Sequence, residues 1–186
     1  MRPKENEAAS YYHGYINRVE GDDVVSVLQR QLDETTAFLS DISEEKSLYR
    51  YAPDKWSLRE MLNHINDGER VFLFRALWFA RGFTEPLPSY DQNIGVEGAR
   101  PDQFDWANHV AEFRAVRAAT LAFFRTLPAE NVAGSEEVWN RTGIASGNPF
   151  TVRALAYIVA GHLAHHVGVI KERYLGGQEA VGSSRQ

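Results

Sequence analysis

The chain has 186 residues, and its 20 lysines and arginines against 25 aspartates and glutamates give a formal net charge of −5. A chain of this length can bury a hydrophobic core without disulfides or a structural metal ion. The acidic balance argues against binding to nucleic acid or to an anionic membrane, and the absence of cysteine excludes disulfides, thiolate metal ligands and a cysteine nucleophile.

The two ends of the chain carry little apolar sequence. Residues 1–7 are charged and lead into no apolar stretch of signal-peptide length, and no later run approaches the roughly 18 apolar residues of a membrane span. We therefore expect a soluble cytoplasmic protein. The length predicts a single domain over residues 1–186, and residues 176–186, rich in Gly, Ser and Gln, are predicted to form a flexible tail.

The first two helical segments are marked by apolar residues at three- and four-residue spacing. The first runs from about Asp22 to Leu39 and begins with two aspartates, which suit a helix N-terminus. The second starts at Ser57, which can form a capping box with Glu60, and runs to about Ala80. Two amphipathic helices are therefore predicted in the first half of the chain.

Two further helices are predicted in the second half. The third covers about 105–126 and is stopped by Pro128. The fourth begins near 148–149 or at Thr151, since proline is tolerated in a first helical turn, and it continues to about residue 175.

Four such helices, with prolines and most glycines between them, predict an all-α domain built as a four-helix bundle. The linker over residues 81–104 has about 24 residues, which is more than antiparallel neighbours require. A linker of this length can return along the bundle, so the second and third helices can be parallel. The pattern therefore does not assure a simple up-down-up-down order.

Three of the six histidines lie close together in the predicted fourth helix. At about 100° per residue, His162 and His166 lie near the middle of its apolar face, whereas His165 falls toward the edge. Residues four apart on a helix are neighbours, so both imidazoles can face one ion. Two buried imidazoles would otherwise each need a hydrogen-bond partner, and a shared metal removes that need. Core histidines bonded to carbonyls or hydroxyls remain the alternative.

His64 lies at the border of the apolar stripe of the second helix and can reach the same interior. Gly68, one turn later on the same side, leaves space where a larger side chain would crowd an ion or a substrate. One ligand from this helix and two from the fourth make a three-imidazole site with a free position, the arrangement associated with catalytic zinc. Imidazole also suits nickel, copper and iron, so we expect a divalent ion, with zinc or nickel first.

The remaining polar residues considered for the site have less specific patterns. Glu60 and Asp67 flank His64 and could orient its ring as hydrogen-bond acceptors, although a solvated helix face explains them equally well. His13 and His109 are predicted to be solvated or simply hydrogen-bonded rather than metal ligands.

Two motifs stand beside the histidines: YRYAPDKWSLRE at 49–60, before His64, and RALAYI at 153–158, before His162 and His166. Both resemble the DinB-like superfamily, and the similarity runs over about 11–175, which we expect to be the core of the domain. Linker pieces PSYDQ at 88–92 and WNR at 139–141 resemble the branch that shares its domain with YfiT-like thiol transferases.

The resemblance implies a four-helix bundle in up-down-down-up order and a divalent metal ion held at the places of His64, His162 and His166. Related members transfer bacillithiol, mycothiol or similar low-molecular-weight thiols, and members often form homodimers. The resemblance therefore implies a small-molecule substrate, a thiol cosubstrate and a homodimer.

The expected function is metal-dependent transfer of a low-molecular-weight thiol to a small electrophile. An open cationic centre lowers the pKa of a bound thiol or water, and a protein without cysteine must take its thiol from outside. Candidate pocket residues in the linkers are Tyr90, Asp91, Asn140 and Arg141. Two alternatives stay open: a non-catalytic, metal-binding bundle dimer, and a metal-dependent hydrolase, which would need a carboxylate such as Glu60 or Asp67.

Overall fold

A computed structural model of the chain describes residues 2–128 and 135–176. Within these ranges the helices are α1 (Ser10–Ile16), α2 (Val24–Ser40), α3 (Glu44–Ser47), α4 (Leu58–Ala80), α5 (Gln92–Ala99), α6 (Trp106–Arg125), α7 (Ser135–Asn140) and α8 (Val152–Val169). Two strands, β1 (Thr142–Ala145) and β2 (Asn148–Thr151), form a small sheet, and Ile170–Leu175 extends α8 as a π-helical segment. Apart from Gly176, the predicted tail at 176–186 lies outside the described residues.

The four long helices, α2, α4, α6 and α8, coincide with the four segments that the sequence predicts to be helical. The described part of the chain is therefore mostly helical, in line with the all-α prediction, but it also contains a small two-stranded sheet that an all-α fold lacks. Asp23 caps α2 by accepting hydrogen bonds from the backbone N–H groups of the first turn, and Ser57 and Glu60 form the predicted capping box at the start of α4. Among the described helices, none combines the length and the apolar character that a membrane crossing needs.

The predicted helix start at 148–149 is wrong, because these residues belong to β2, which pairs with β1 in an antiparallel hairpin. Ser146 and Gly147 form the turn and adopt φ values of 52° and 74°, as a tight two-residue hairpin turn requires. Phe150 in β2 is fully buried, which holds the hairpin against the helices. The alternative start at Thr151 is close to the observed one, since its Oγ1 accepts a 3.0 Å hydrogen bond from the first turn of α8.

Four short helices, α1, α3, α5 and α7, are absent from the sequence prediction. They have four to eight residues each, which is too few for a clear periodicity. Helix α1 packs directly on α8 at Gly161, where a Cβ would lie 2.1 Å from the backbone oxygen of Tyr15, so only glycine permits this approach. Helix α5 lies inside the linker at 81–104. Both α1 and the linker reach the neighbourhood of the histidines.

Helix α4 lies against both α6 and α8. Near the start of α4, Arg59 Nη1 donates to the carbonyl of Phe104 at 2.6 Å, and further along α4, Glu69 accepts from Arg117 at 2.8 Å. These contacts follow the same order along α4 and α6. The contacts with α8 follow the opposite order: the chain before α4 bonds to the π-helical end of α8, whereas the middle of α4 faces the middle of α8.

Two groups of buried apolar side chains fill the interior. One includes Phe79, Phe124, Phe150 and Leu155, and the other includes Leu39, Leu62, Phe113 and Ile170. Along α4 the change from one group to the other falls between Ile65 and Phe72, and along α8 it falls between Ala160 and Leu163. The three predicted metal ligands lie at or near this junction.

Candidate metal centre

Three histidine side chains meet where α4 packs against α8. His64 comes from α4, and His162 and His166, one turn apart, come from α8. The Nε2 atom of His64 lies 3.1 Å from that of His162 and 3.2 Å from that of His166, and the latter two atoms are 3.1 Å apart. All three residues are buried, with 5–9% of their surface exposed. The structure thus brings together the three residues that the sequence predicts as ligands.

Hydrogen bonding among the rings cannot account for all sides of this triangle. The Nε2 of a neutral imidazole is either a donor or an acceptor, so at most two of the three contacts can join a donor to an acceptor. A single cation, in contrast, accepts the lone pairs of all three nitrogens. A point equidistant from nitrogens at this spacing lies at least ~1.8 Å from each, compatible with Zn–N bonds of about 2.0–2.1 Å. The donor set and its spacing therefore fit one divalent ion.

Burial keeps the three rings uncharged. Desolvation is the main cause that lowers the pKa of His64 to about 4 and the pKa of His166 to about 3, and repulsion from neighbouring imidazoles adds to it. The pKa of His162 lies well below its ordinary value for the same two reasons. A neutral imidazole has the free lone pair that a metal ion requires, so the rings are competent ligands at neutral pH.

Two outer ring nitrogens of this triad lack hydrogen-bond partners. The Nδ1 atoms of His64 and His166 are buried without a partner among the described residues. The predicted acceptors bond elsewhere: Glu60 to the capping box and to an arginine, and Asp67 to a side-chain amide of α4 and to the hydroxyl of Tyr90. Neither carboxylate therefore orients the ring of His64, which was one of the two explanations that the sequence left open for these residues.

The ring of His162 is enclosed on several sides. Gly68 of α4 faces it, and a Cβ at this position would lie 2.9 Å from the Cε1 atom of the imidazole. The ring also packs edge-on against Tyr15 and Phe72, with ring centroids 5.4 and 5.6 Å away. The space that Gly68 provides is therefore occupied by the ligand ring itself, and a larger side chain at position 68 would displace it.

The other three histidines lie outside the triangle. His165 is partly exposed, its ring packs against a tyrosine of α1, and it is not one of the three residues close enough to share an ion. That it is not a ligand stays a prediction. The Nε2 atom of His109 lies 2.9 Å from the carbonyl oxygen of Pro101, and that of His13 lies 3.0 Å from a backbone carbonyl near the N-terminus. Both rings are simply hydrogen-bonded, as predicted.

A cavity of about 280 Å³ opens beside the triad and reaches His64 and His162. Its polar lining among the described residues includes Tyr11, Tyr12, Tyr15, Tyr90, Arg75 and Ser146. Burial raises the pKa of Tyr15, and burial together with Asp67 raises the pKa of Tyr90 to about 12. Both hydroxyls therefore stay protonated, and that of Tyr90 donates its proton to Asp67. A small molecule in the cavity can contact the triad and both hydroxyl oxygens together.

Of the four predicted pocket residues, Tyr90 lines this cavity and the other three do not. Asp91 caps α5 by accepting backbone hydrogen bonds. Arg141 donates to the carbonyl of Ala80 at 2.5 Å, and Asn140 is exposed at the end of α7. A position in a long linker does not by itself distinguish residues that shape a loop from residues that line a cavity.

Several residues that line the cavity were not predicted from the sequence pattern. Arg75 carried a usable signal, because it continues the stripe of α4 that contains His64, Gly68 and Phe72 at three- and four-residue spacing. The tyrosines of α1 lie in a helix too short to be predicted, and Ser146 lies in the turn of the unpredicted hairpin.

Comparison with known proteins agrees with the fold and with the motifs beside the histidines. The sequence profile of the DinB superfamily matches residues 28–170, so the chain belongs to this superfamily. No curated protein matches the sequence. Among solved structures, the chain resembles YfiT from Bacillus subtilis, which is described as a probable metal-dependent hydrolase with an unusual four-helix bundle topology. The TM-score is 0.67 at 16% identity over 92% of this chain and 90% of YfiT, so the likeness shows the fold.

Proposed function

We propose that the protein is a metal-dependent enzyme that transfers a low-molecular-weight thiol to a small electrophile. The observation that carries the proposal is the triangle of Nε2 atoms from His64, His162 and His166, 3.1–3.2 Å apart, beside a cavity. These three residues are the proposed ligands of one divalent ion, and zinc or nickel suits three imidazoles with an open position.

In the proposed reaction the ion and the side chains of the protein have different roles. A divalent ion bound by three imidazoles supplies Lewis acidity, which lowers the pKa of a thiol or water molecule at its remaining position. The chain holds the ligand rings neutral by burying them, and it has no cysteine, so the thiol comes from solution. Tyr15 and Tyr90 present protonated hydroxyls to the bound molecule. In the overall reaction the thiol gives its proton to solvent, its sulfur bonds to the electrophilic carbon, and that carbon releases its leaving group.

The cavity lining favours a thiol over water as the nucleophile. Among the described residues that line the cavity there is no carboxylate. A free thiol has a pKa of about 8.5, whereas that of bulk water is about 15.7, so a thiol needs a much smaller shift of its pKa to become the anionic nucleophile. The side chains that line the cavity therefore suit thiol transfer better than hydrolysis.

Metal-dependent hydrolysis is the second candidate, and the description of YfiT as a probable metal-dependent hydrolase favours it. In this chain the base would be Asp67, acting through Tyr90, whose Oη donates to the Asp67 carboxylate at 3.1 Å. A hydrolytic activity lost in Tyr90→Phe, measured with ester and amide substrates, would support this route.

The test loads the protein with zinc or nickel and offers bacillithiol, mycothiol and glutathione with an aryl chloride as electrophile. We expect a metal-dependent rate that is lost in His64→Ala and kept in His165→Ala, a matched control from outside the triangle. Metal content and circular dichroism separate loss of the ion from loss of the fold. A wild-type rate in folded, metal-free His64→Ala would contradict the proposal.

Two other outcomes redirect the assignment. Inert thiols together with cleavage of an ester or amide would put hydrolysis first. A cobalt-substituted protein whose spectrum does not respond to any thiol, with no activity of either kind, would indicate a non-catalytic metal-binding bundle.

We also propose the up-down-down-up order for α2, α4, α6 and α8. Its support is the order of the contacts of α4, which is the same along α6 and reversed along α8. The homodimer and the cytoplasmic location stay predictions, and light scattering on the purified protein measures the first.

A further inference from the structure

Arg75 is a buried cation in the wall of the cavity beside the triad. It lies on α4, three turns after His64, and only 4% of it is exposed. It lines the same cavity as His64 and His162. Removing a guanidinium group from water is unfavourable unless an anion or well-placed acceptors compensate for it.

Three other arginines are as buried as Arg75, and each has a carboxylate partner. The pairs are Arg117 with Glu69, Arg153 with Glu7, and Arg59 with Glu44. In the part of the chain that the structure describes, Arg75 forms no ion pair with a carboxylate. Arg75 is therefore the exception within a consistent pattern.

The hydrogen bonds of Arg75 go to neutral groups. Its Nη2 donates to Ser146 Oγ at 2.8 Å and to the carbonyl oxygen of Pro88 at 3.2 Å, which uses both N–H groups of that nitrogen. The hydroxyl of Tyr12 is a further neutral partner. A guanidinium has five N–H donors arranged as a fork that matches the two oxygens of a carboxylate. These contacts hold the group in place and leave its charge unbalanced.

The rest of the cavity wall suits a negative group. The hydroxyls of Tyr12 and Tyr15 and the amide of Gln92 can donate hydrogen bonds, whereas the hydroxyl of Tyr90 donates to Asp67. No carboxylate is present among the described lining residues to repel an anion. The triad rings at the other side of the cavity are neutral. Arg75 is therefore the one charged side chain among the described residues that line this cavity.

We propose that Arg75 binds a carboxylate, or a chemically similar anionic group, of the small molecule that uses this cavity. The reacting end of that molecule then faces the triad, and this orientation of the molecule rests on the proposed function. Three helical turns separate His64 from Arg75, or about 16 Å between Cα atoms, and both side chains reach into the space between. The substrate is therefore an organic acid whose charge lies several bonds from the reacting atom, and the acid is either the thiol or the electrophile.

The first experiment measures binding to the metal-free protein, so its result does not depend on catalysis. Hexanoate and hexanamide are matched probes that differ in charge. In NMR titrations we expect the wild-type protein to bind hexanoate at least tenfold more tightly than hexanamide, because charge-assisted bonds are the stronger ones. Arg75→Gln should lose this preference, Arg75→Lys should keep part of it, and Arg114→Gln, which removes an exposed arginine of α6, should keep all of it.

The comparison within the wild-type protein keeps the proposal falsifiable even where a variant does not fold. Equal affinity of the wild-type protein for the acid and the amide would overturn the proposal. A preference for hexanoate that persists unchanged in folded Arg75→Gln would also overturn it, since another group would then bind the anion.

The second experiment finds which reactant carries the anionic group. The zinc-loaded protein is given 6-mercaptohexanoate or 6-mercaptohexanol with a neutral aryl chloride, and then the alcohol with 4-chloro-3-nitrobenzoate or the corresponding benzamide. If the thiol is the acid, Arg75→Gln should raise KM for mercaptohexanoate on the order of 10- to 100-fold, with little change in kcat. If the electrophile is the acid, the same change should appear with the nitrobenzoate.

The two experiments separate failure of this proposal from failure of the proposed function. Thiol transfer that does not discriminate either acid from its neutral analogue refutes the role of Arg75 and leaves the transfer reaction standing. Selective binding of hexanoate by a protein that transfers no thiol supports the role of Arg75 and counts against the transfer reaction.

Discussion

Substitution of Gly68 by alanine tests the metal site without removing a ligand. The new Cβ would lie 2.9 Å from Cε1 of His162, whereas carbon atoms in contact are normally about 3.5–4.0 Å apart. The imidazole must therefore retreat by roughly half an ångström or more. It has little room to do so, because Tyr15, Phe72 and His166 surround it with ring centroids 4.5–5.6 Å away.

A shift of this size matters more for the metal than for the fold. Alanine gains up to about 1 kcal/mol over glycine within a helix, which offsets part of the roughly 1–3 kcal/mol that overpacking costs. A metal–nitrogen bond of about 2.0–2.1 Å does not stretch by half an ångström. We therefore expect Gly68→Ala to stay folded and to bind zinc on the order of 10- to 100-fold more weakly. This is the loss of metal affinity typical of removing a residue that holds a metal ligand in position.

The assay is a zinc titration against a chromophoric chelator at pH 7.5, together with urea unfolding of the metal-free protein. Gly168→Ala is the matched control, because Gly168 lies on α8 two residues after His166, and a Cβ there meets no heavy atom within 4 Å. Equal zinc affinity in both variants and the wild-type protein would refute the assignment of His162 as an enclosed ligand.

Three further predictions concern stability. The pKa values of His64 and His166, about 4 and 3, lie below the roughly 6.5 of the unfolded chain, so the unfolded chain binds more protons below pH 6.5. The unfolding free energy of the metal-free protein should therefore fall from pH 6.5 toward pH 4, by up to about 1.4 kcal/mol per pH unit for each ring. If urea unfolding gave the same free energy across this range, the conclusion that the rings are buried and neutral would be wrong. Glu69→Ala should lower the unfolding free energy by about 3–5 kcal/mol, because it leaves the fully buried Arg117 without its carboxylate. Arg70→Ala, which breaks the more exposed pair with Asp67 on the same helix, should lower it by less than about 1 kcal/mol; similar urea midpoints for the two variants would count against the buried pair. Gly161→Ala should lower the unfolding free energy by about 1–3 kcal/mol, because the new Cβ would meet a backbone oxygen of α1 that can move only with its helix; a wild-type midpoint would mean that α1 is not docked there.

The long helices could be predicted because each carries its own signal. Ser57 and Glu60 fix the start of α4 through contacts within one turn, and apolar spacing continues for several turns behind them. The hairpin could not be predicted in the same way. Its turn at Ser146–Gly147 has the same composition as an ordinary polar loop. Pro149 is also common at the start of a helix, and only the pairing of the two strands shows that it lies in an edge strand, where proline is tolerated.

The same distinction explains which site residues were predictable. The histidines are related by helical geometry, since His162 and His166 are one turn apart and His64 lies on the apolar stripe of α4. The cavity residues are related by tertiary contacts. Tyr15 reaches His162 because Gly161 lets α1 approach α8, and nothing in the local pattern of either segment reports that approach.

The triad weakens the fold that contains it. Its nitrogens cannot all be paired with one another, and two of the outer nitrogens are buried without partners among the described residues, each of which costs free energy relative to an apolar side chain of the same shape. Two apolar groups pack on either side of the junction that contains these nitrogens. A cluster of this kind does not stabilise the metal-free fold, and under the proposed function its purpose is to bind an ion with all three rings. At one side of the cavity the three rings would bind a cation, and at the other side Arg75, which has no carboxylate partner among the described residues, would bind an anion.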